Sequence, residues 1–332
     1  MPKTFKVPPG EPLLNIASYA RRGPGERGGR LTPEQIEHIR RTVRRDPEVM
    51  VKVLSRGAGD FKAVVKHLDY ISRRGKIELE TDDGDRLKGK SNADLLNDWD
   101  LDIDELRRQG DLKTSNGRQA PKLVHKLMFS MPPGTPPDKV LAAVRNFARE
   151  EFWGKHRYAM ALHTDEQHPH VHVVLKAVSE QGVRLNIKKA TLRKWRSQFS
   201  HQLRQLGVAA NATERAVRGE SRSAMKDGIY RANRRGASSY LRTRAETVAN
   251  ELTAGSRVRP EVGKLTLLET RDAIQRGWHS VADKLAQQVD RQLAADVTRF
   301  SERMDRPLTD REREAQGPLA PARAQPQESR TR

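Results

Sequence analysis

Four of the ten histidines of the chain stand in the short segment from His163 to His172. Side chains alternate between the two faces of a β-strand, so His170 and His172 point the same way. If His163 ends the preceding strand, a hairpin places its ring opposite theirs. Three converging imidazoles with open coordination positions are typical of a metal site that carries out chemistry. The spacing therefore predicts a metal site made of His163, His170 and His172.

The same segment offers two further polar side chains. Asp165 lies between the ligands, and we expect it to accept the free ring N–H of one of them. His168 precedes Pro169 in the loop and is the weaker ligand candidate. A solvated, histidine-rich hairpin is the alternative interpretation. The spacing of all three histidines, with an aspartate between them, favours metal binding over that alternative.

Tyr70 is the candidate nucleophile. It belongs to a predicted helix with one apolar stripe, formed by Phe61, Val64, Val65, Leu68 and Ile71. At about 100° per residue, Tyr70 lies opposite Phe61, away from that stripe. Arg73, Arg74 and Lys76 follow it and are suited to binding phosphate groups. Nearby cations favour the phenolate, so this context predicts a nucleophile, with a tyrosine that merely covers apolar surface as the alternative.

The overall charge indicates a polyanionic partner. The chain has 63 Lys and Arg against 43 Asp and Glu, a net charge of +20. Nucleic acid is the first candidate and an anionic membrane surface the second. Apolar runs stay well short of the roughly 18 residues that a membrane span needs, so we expect no membrane insertion. The absence of cysteine excludes disulfides, thiolate metal sites and a cysteine nucleophile. Together these features fit a cytoplasmic protein.

The elements that must position these residues alternate along the chain. Strands are predicted at 49–54, 76–80, 122–131, 157–163 and 170–177. Helices are predicted at 32–45, 60–73, 92–108, 136–152 and 188–206. This order predicts an α+β fold with a largely antiparallel central β-sheet flanked by helices.

Three motifs, in this order, resemble those of the relaxases of the mobilisation-protein and T-DNA border endonuclease family, within the HUH endonucleases. They are the tyrosine motif His67–Leu79, the middle motif His125–Gly134 and the histidine motif His163–His172. The segment Glu214–Gly219 also resembles this group, and within it the chain resembles MobP-class plasmid relaxases and T-DNA border endonucleases. The resemblance covers about residues 49–220.

The resemblance implies an HUH-type relaxase domain and a role for each matching residue. Tyr70 would be the nucleophile, Asp165 an orienting acid and Ser130 a DNA contact, with the three histidines as metal ligands. Magnesium or manganese is the implied ion, although three imidazoles alone favour softer ions such as manganese, nickel or zinc. Family members often carry the tyrosine nearer the N-terminus, which leaves Tyr19 as a rival.

The implied activity is a metal-dependent nick in one DNA strand at an origin of transfer, with a 5′-phosphotyrosyl adduct and later rejoining. Single-stranded and origin DNA, relaxosome accessory proteins and a type IV secretion coupling protein are the implied partners. We expect the protein to be located in the bacterial cytoplasm. We also expect it to be delivered to a recipient cell together with its bound DNA. Two alternatives stay open: a rolling-circle replication initiator, which would use Tyr230 or Tyr240, and a non-catalytic origin-binding accessory protein.

We divide the chain into five parts. They are a basic N-terminal extension (1–48), the relaxase-like domain (49–214), a basic DNA-contacting linker (215–261), a helical segment (262–305) and a disordered tail (306–332). Between Arg215 and Arg244 nine cations and two acids occur without an apolar pattern. We therefore expect this stretch to increase the affinity for DNA independently of its sequence. The tail is rich in Pro, Gln, Ala and Arg, which favours disorder.

Overall fold

The computed structural model describes residues 30–54, 60–88, 92–104, 106, 109, 121–221, 225, 227–254, 263–288 and 290–316. By its internal contacts the chain divides into two compact units. The first, the sheet unit, consists of Met1–Leu13 and Arg40–Thr213, and the second, the helical unit, consists of Leu14–Ile39 and Glu214–Arg332. Tyr19 lies outside the described residues.

The described part of the sheet unit is built on a six-stranded antiparallel β-sheet in the order β1-β4-β6-β5-β2-β3. The strands are β1 (Met50–Val53), β2 (Leu79–Thr81), β3 (Arg86–Leu87), β4 (Val124–Ser130), β5 (Tyr158–His163) and β6 (His170–Lys176). The α+β fold with an antiparallel sheet, predicted from the sequence, is confirmed.

Helices precede the sheet, connect its strands or follow its last strand. They are α1 (Pro33–Arg44), α2 (Phe61–Ile71), α3 (Asn92–Asp98), α4 (Pro137–Glu151) and α5 (Lys189–Gln205). Their ends follow local signals in the sequence. Asp60 caps α2 by accepting a hydrogen bond from the amide of Ala63 at 2.7 Å. Gly207 follows α5 with a φ of +77°, the left-handed conformation that glycine adopts without strain.

Each face of the sheet carries its own core. On one face, Val171, Val173 and Leu175 of β6 pack with α4 and α5 around a group of aromatic rings, which includes Phe129, Phe147, Trp195 and Phe199. On the other face, α2 packs its apolar stripe, Val64, Leu68 and Ile71, against Val124, Ala159, Ala161 and Val174. The end of α2 is thereby held beside the hairpin of β5 and β6.

The polar segment between the first two predicted strands and the middle motif contains more regular structure than the single helix predicted there. It contains the β2–β3 hairpin and helix α3, and Leu95, Leu96 and Trp99 are buried in the core under α2. These apolar residues are bunched together rather than spaced, so periodicity does not detect them. Strand β2 begins at Leu79 rather than at Lys76, because the chain first completes a turn in which the Ile77 amide donates to the Ser72 carbonyl.

The helical unit contains a short 3-10 helix and five described helices. They are the 3-10 helix Ala216–Arg218, α6 (Asp227–Arg234), α7 (Ser239–Thr253), α8 (Lys264–Gln287), α9 (Arg291–Glu302) and α10 (Asp310–Ala315). The apolar stripe seen in the sequence, Ile274, Trp278, Val281 and Leu285, is buried. Trp278 also donates its indole N–H to the Val217 carbonyl at 2.9 Å, which ties the Glu214–Gly219 segment to α8.

Two expectations about the C-terminal half need correction. The basic stretch expected to be a linker contains α6 and α7, and some of its cations are paired: Arg244 with Glu314 at 3.0 Å and Arg218 with Glu220 at 3.3 Å. The expected disordered tail begins with α10, because Thr309 and Glu312 form a capping box. The remainder of the tail, 317–332, lies outside the described residues. None of the described helices has both the length and the apolar character needed to cross a bilayer.

Candidate metal centre and nucleophile

The hairpin of β5 and β6 brings the three predicted histidines together. His163 pairs directly with His170, and His172 lies one pair further along the same face. Ring centroids are 5.1 Å apart for His163 and His170, 4.7 Å for His163 and His172, and 5.2 Å for His170 and His172. All three rings are buried, and one nitrogen from each lies within 4.8 Å of the others. This spacing suits a shared cation.

The hydrogen bonds of the rings leave nitrogen lone pairs for such a cation. His163 donates from Nε2 to the Ile71 carbonyl at 2.7 Å, and His170 donates from Nδ1 to the His168 carbonyl at 2.9 Å. A carbonyl only accepts, so these contacts fix which nitrogen of each ring carries the proton. In His172, Nδ1 is buried and has no hydrogen-bond partner among the described residues. The three side chains therefore fit a divalent metal ion.

Burial favours the neutral form of His163 and His172, which is the form that binds metals. Burial, with a smaller contribution from the neighbouring histidines, lowers the pKa of His172 to about 3. Burial also lowers the pKa of His163, and the charge of Arg73 adds to that effect. At neutral pH a cation does not have to displace a proton from either ring.

Tyr70 lies in the last turn of α2, beside this cluster. Its side chain is 55% exposed, in keeping with its position opposite the apolar stripe. Its ring meets the His172 ring edge-on with centroids 6.3 Å apart, and the guanidinium carbon of Arg73 lies 5.0 Å from the ring centroid. The phenol thus stands at the solvent-facing border of the metal-binding cluster.

Arg73 occupies a position where helices usually end in glycine. The amides of Arg73 and Arg74 donate to the carbonyls of Tyr70 at 3.2 Å and Asp69 at 2.7 Å, which is the hydrogen-bond pattern of a Schellman motif. Arg73 has a φ of +50°, and Arg74 follows with +56°. A side chain in this left-handed region is strained, and strain of this kind concentrates at functional sites.

The strained backbone directs the Arg73 guanidinium into the site. It donates to His163 Nδ1 at 3.2 Å and forms an ion pair with Asp165 at 2.5 Å. His163 Nδ1 is the nitrogen left free by the Ile71 contact, so the guanidinium and a bound cation compete for the same lone pair. Arg73 therefore contacts Tyr70, the histidine cluster and Asp165 at once.

Asp165 has a different partner from the one expected. Its carboxylate lies 4.0 Å from His163 Nδ1, and the ring N–H groups of His163 and His170 bond to backbone carbonyls instead. Those carbonyls already fix both rings, so the half-exposed Asp165 is left to bind Arg73. Periodicity cannot reveal this arrangement, because it depends on where α2 ends against the hairpin.

The other predicted residues lie around this cluster. Ser130 is buried, pairs with His170 and shares its face of the sheet. The side chains of Arg74 and Lys76 are exposed. Reasoning from the sequence missed His67, whose ring stacks on Tyr70 with centroids 6.2 Å apart and meets His172 edge-on at 6.3 Å. The three-residue spacing from His67 to Tyr70 on one helix was the available signal.

Comparison with known proteins identifies the domain that holds this site. Residues 70–207 match the family model of the MobA/VirD2-like relaxase nuclease domain. This part of the chain is therefore similar to a relaxase nuclease domain. The matched span includes Tyr70, Ser130 and all three histidines, so the family resemblance seen in the sequence is confirmed.

Curated relatives agree with this relaxase assignment. The chain is 25% identical over 203 residues to the T-DNA border endonuclease VirD2 of Agrobacterium fabrum, covering 55% of this chain and 43% of that protein. It is 25% identical over 279 residues to VirD2 of Rhizobium radiobacter, covering 77% and 61%. For VirD2 of Rhizobium rhizogenes, the values are 25% over 191 residues, 52% and 42%. The chain thus spans about half the length of the curated relatives it matches.

Proposed function

We propose that this relaxase domain nicks one DNA strand by transesterification and becomes linked to the new 5′ end through Tyr70. The observation that supports this most is the convergence at the end of α2. There the exposed Tyr70 stands beside Arg73 and within 6.3 Å, centroid to centroid, of His172 in the metal-binding cluster. A phenol, a guanidinium and three imidazoles that can hold a cation supply the groups that phosphoryl transfer needs.

The cofactor of this proposal is magnesium or manganese held by His163, His170 and His172. When bound, such an ion polarises the scissile phosphate and offsets the charge that develops in the transition state. Three imidazoles favour manganese over magnesium. The buried, unpartnered Nδ1 of His172 and the lowered pKa of that ring support this ligand set.

The reaction exchanges one phosphodiester for another. Tyr70 Oη forms a bond to phosphorus in line with the bond to the 3′-oxygen, which breaks. The phenol proton passes to solvent, and the departing 3′-oxygen takes up a proton. Because the phosphotyrosyl bond retains the energy of the phosphodiester, a 3′-hydroxyl can later reverse the attack and reseal the strand without ATP. Arg73 lies where it can stabilise the phenolate and contact the reacting phosphate.

Binding residues and partners complete the proposal. Arg74 and Lys76 would bind phosphates beside the site, and Ser130 would contact DNA. Nicking at an origin of transfer follows from the similarity to T-DNA border endonucleases. By the same analogy, the partners would include relaxosome accessory proteins and a type IV secretion coupling protein. The protein would be delivered together with its bound DNA. Deleting 306–332 tests the delivery role: transfer between cells should fail while nicking in vitro persists.

An end-labelled oligonucleotide pool tests the nicking reaction without knowledge of the nick site. Single strands with a randomised centre are mixed with the protein and Mn²⁺ and then separated on a denaturing protein gel. A 3′-end label should move with the protein, a 5′-end label should not, and Tyr70→Phe should abolish the shift. A shift of the 5′-labelled strand would contradict the proposed polarity. Binding without any adduct would favour the accessory-protein alternative.

A further inference from the structure

A strip of side chains on strands β1 and β4 continues the face of the sheet that carries the histidines. Directly paired residues of antiparallel strands share a face, and so do residues two positions apart. Met128 pairs with His172 and Ser130 with His170, while Lys52 pairs with Met128 and Met50 with Ser130. The members of this β1–β4 strip are Met50, Lys52, Lys126, Met128 and Ser130.

The strip is cationic and accessible. Lys52 is exposed, Lys126, Met50 and Met128 are half-buried, and the strip has no acidic member. From a strand spacing of about 4.8 Å and a rise of about 3.4 Å per residue, the Cα atoms of Lys126 and His172 lie roughly 8 Å apart. The strip therefore begins at the metal-binding cluster and leads away from it.

Lys126 is a cation without a partner at a partly buried position. Among the described residues, no acidic side chain forms an ion pair with it, and burial lowers its pKa. Removing a charge from water is unfavourable unless a counter-charge compensates. Binding of an anionic ligand would supply the missing counter-charge and so stabilise the charged form of Lys126.

His67 borders the strip next to Lys126. Its Nε2 is buried and has no hydrogen-bond partner among the described residues. The two side chains come close to each other where α2 packs over β4. The His67 ring also stacks on Tyr70. An unsatisfied ring nitrogen and an unpaired ammonium thus lie together beside the nucleophile, and a phosphate oxygen can satisfy both.

We propose that a single DNA strand lies along the β1–β4 strip, with a phosphate next to the scissile one bound by Lys126 and His67. The strand continues towards Lys52, and Met50 and Met128 offer polarisable apolar surface to its bases. This inference rests on the proposed function, because the strand that reaches Tyr70 must continue in some direction. The strip is contiguous with the site, and its charge is complementary to a phosphate backbone.

The test measures binding separately from chemistry. Tyr70→Phe protein in EDTA is titrated against fluorescent oligothymidine across a potassium chloride series, and anisotropy gives the dissociation constant. Lys126→Met and Lys52→Met keep most of the apolar stem and remove the charge. Lys155→Met is the matched control, since Lys155 is exposed in the turn before β5, at the end of the sheet away from the histidines. Thermal unfolding of each variant checks the fold.

Each strip lysine should contribute about 0.7 to the slope of log affinity against log salt, and the double variant should lose about 1.4. Lys126→Arg should restore the slope that Lys126→Met loses. His67→Phe keeps the stacked ring but removes the nitrogen, so affinity should fall several-fold without loss of stability. If the slopes of the Lys126→Met and Lys52→Met variants equal that of Lys155→Met, the proposal that DNA lies along the strip is wrong. If the strip lysine variants change the slope but wild-type protein forms no adduct, DNA binding along the strip is supported and the proposed nicking reaction is wrong.

Discussion

Replacing Arg73 with glycine should separate the function of this site from its stability. Arg73 occupies the C′ position of α2 with a φ of +50°, where glycine is the residue without strain. Its side chain contacts Tyr70, His163 and Asp165. The substitution therefore relieves the backbone while removing every contact that the guanidinium makes in the site.

The two effects are of similar size and opposite sign. Relief of left-handed strain is worth about 1 kcal/mol. The lost ion pair joins side chains that are 31% and 52% exposed, so it contributes about 0.2–1 kcal/mol, and the contact with the Tyr70 ring adds about 0.5–1 kcal/mol. The hydrogen bond to His163 adds about 1 kcal/mol. The net destabilisation is then about 1 kcal/mol, or roughly 2–4 °C in melting temperature.

Arg74→Gly is the matched control for this prediction. Arg74 has a φ of +56°, and its side chain is exposed, so glycine there should raise the melting temperature slightly. Nicking should fall by about 100-fold or more in Arg73→Gly, the size expected for a lost transition-state contact, and only a few-fold in Arg74→Gly. Affinity for Mn²⁺ should hold or rise in Arg73→Gly, because the guanidinium no longer competes for His163.

Rates come from adduct formation in single turnover, stabilities from thermal melts and metal affinity from calorimetry. Wild-type nicking by Arg73→Gly would refute a contact between the guanidinium and the reacting groups. Equal losses of stability in the two glycine variants would refute the assigned strain. Weaker metal binding in Arg73→Gly would show that the guanidinium supports the cluster rather than competing with a cation.

Three further predictions concern metal binding, stability at low pH and the contribution of the helical unit to DNA binding. His172→Ala should weaken Mn²⁺ binding by more than about 100-fold in calorimetry, while the exposed His168→Ala should not. In EDTA, denaturant melts should show stability falling as pH drops from about 6.5 towards 4, because the unfolded rings take up protons that folded His67 and His172, with pKa values of about 4 and 3, do not. His67→Phe should flatten that loss. Truncation after residue 214 should lower the salt slope of DNA binding but leave the nick site unchanged.

The sequence predicts the sheet and the metal-binding cluster because both depend on local rules. Alternation along β6 separates His170 and His172 from the buried Val171 and Val173, and the hairpin places His163 opposite them. The apolar stripe of α2 likewise predicts which side of the helix Tyr70 takes. Each of these inferences needs only the period of one element and its immediate neighbour.

The remaining features depend on how distant elements meet. Arg73 reaches His163 and Asp165 only because α2 ends in a left-handed turn against the β5–β6 hairpin. The relation of His67 to Lys126 depends on α2 packing over β4, a contact that no periodicity encodes. Strand β3 escaped prediction because it contains only two residues, too few to show an alternating pattern.

The central claim is that Tyr70 becomes covalently attached to DNA, and peptide mapping of the adduct tests it most directly. Adducts formed with Mn²⁺ are digested with nuclease and protease, and mass spectrometry locates the peptide that carries a nucleotide remnant. The remnant is expected on Tyr70, attached through a 5′-phosphate, and Tyr70→Phe should give no adduct. A remnant on Tyr19, Tyr230 or Tyr240 would show that Tyr70 is not the nucleophile.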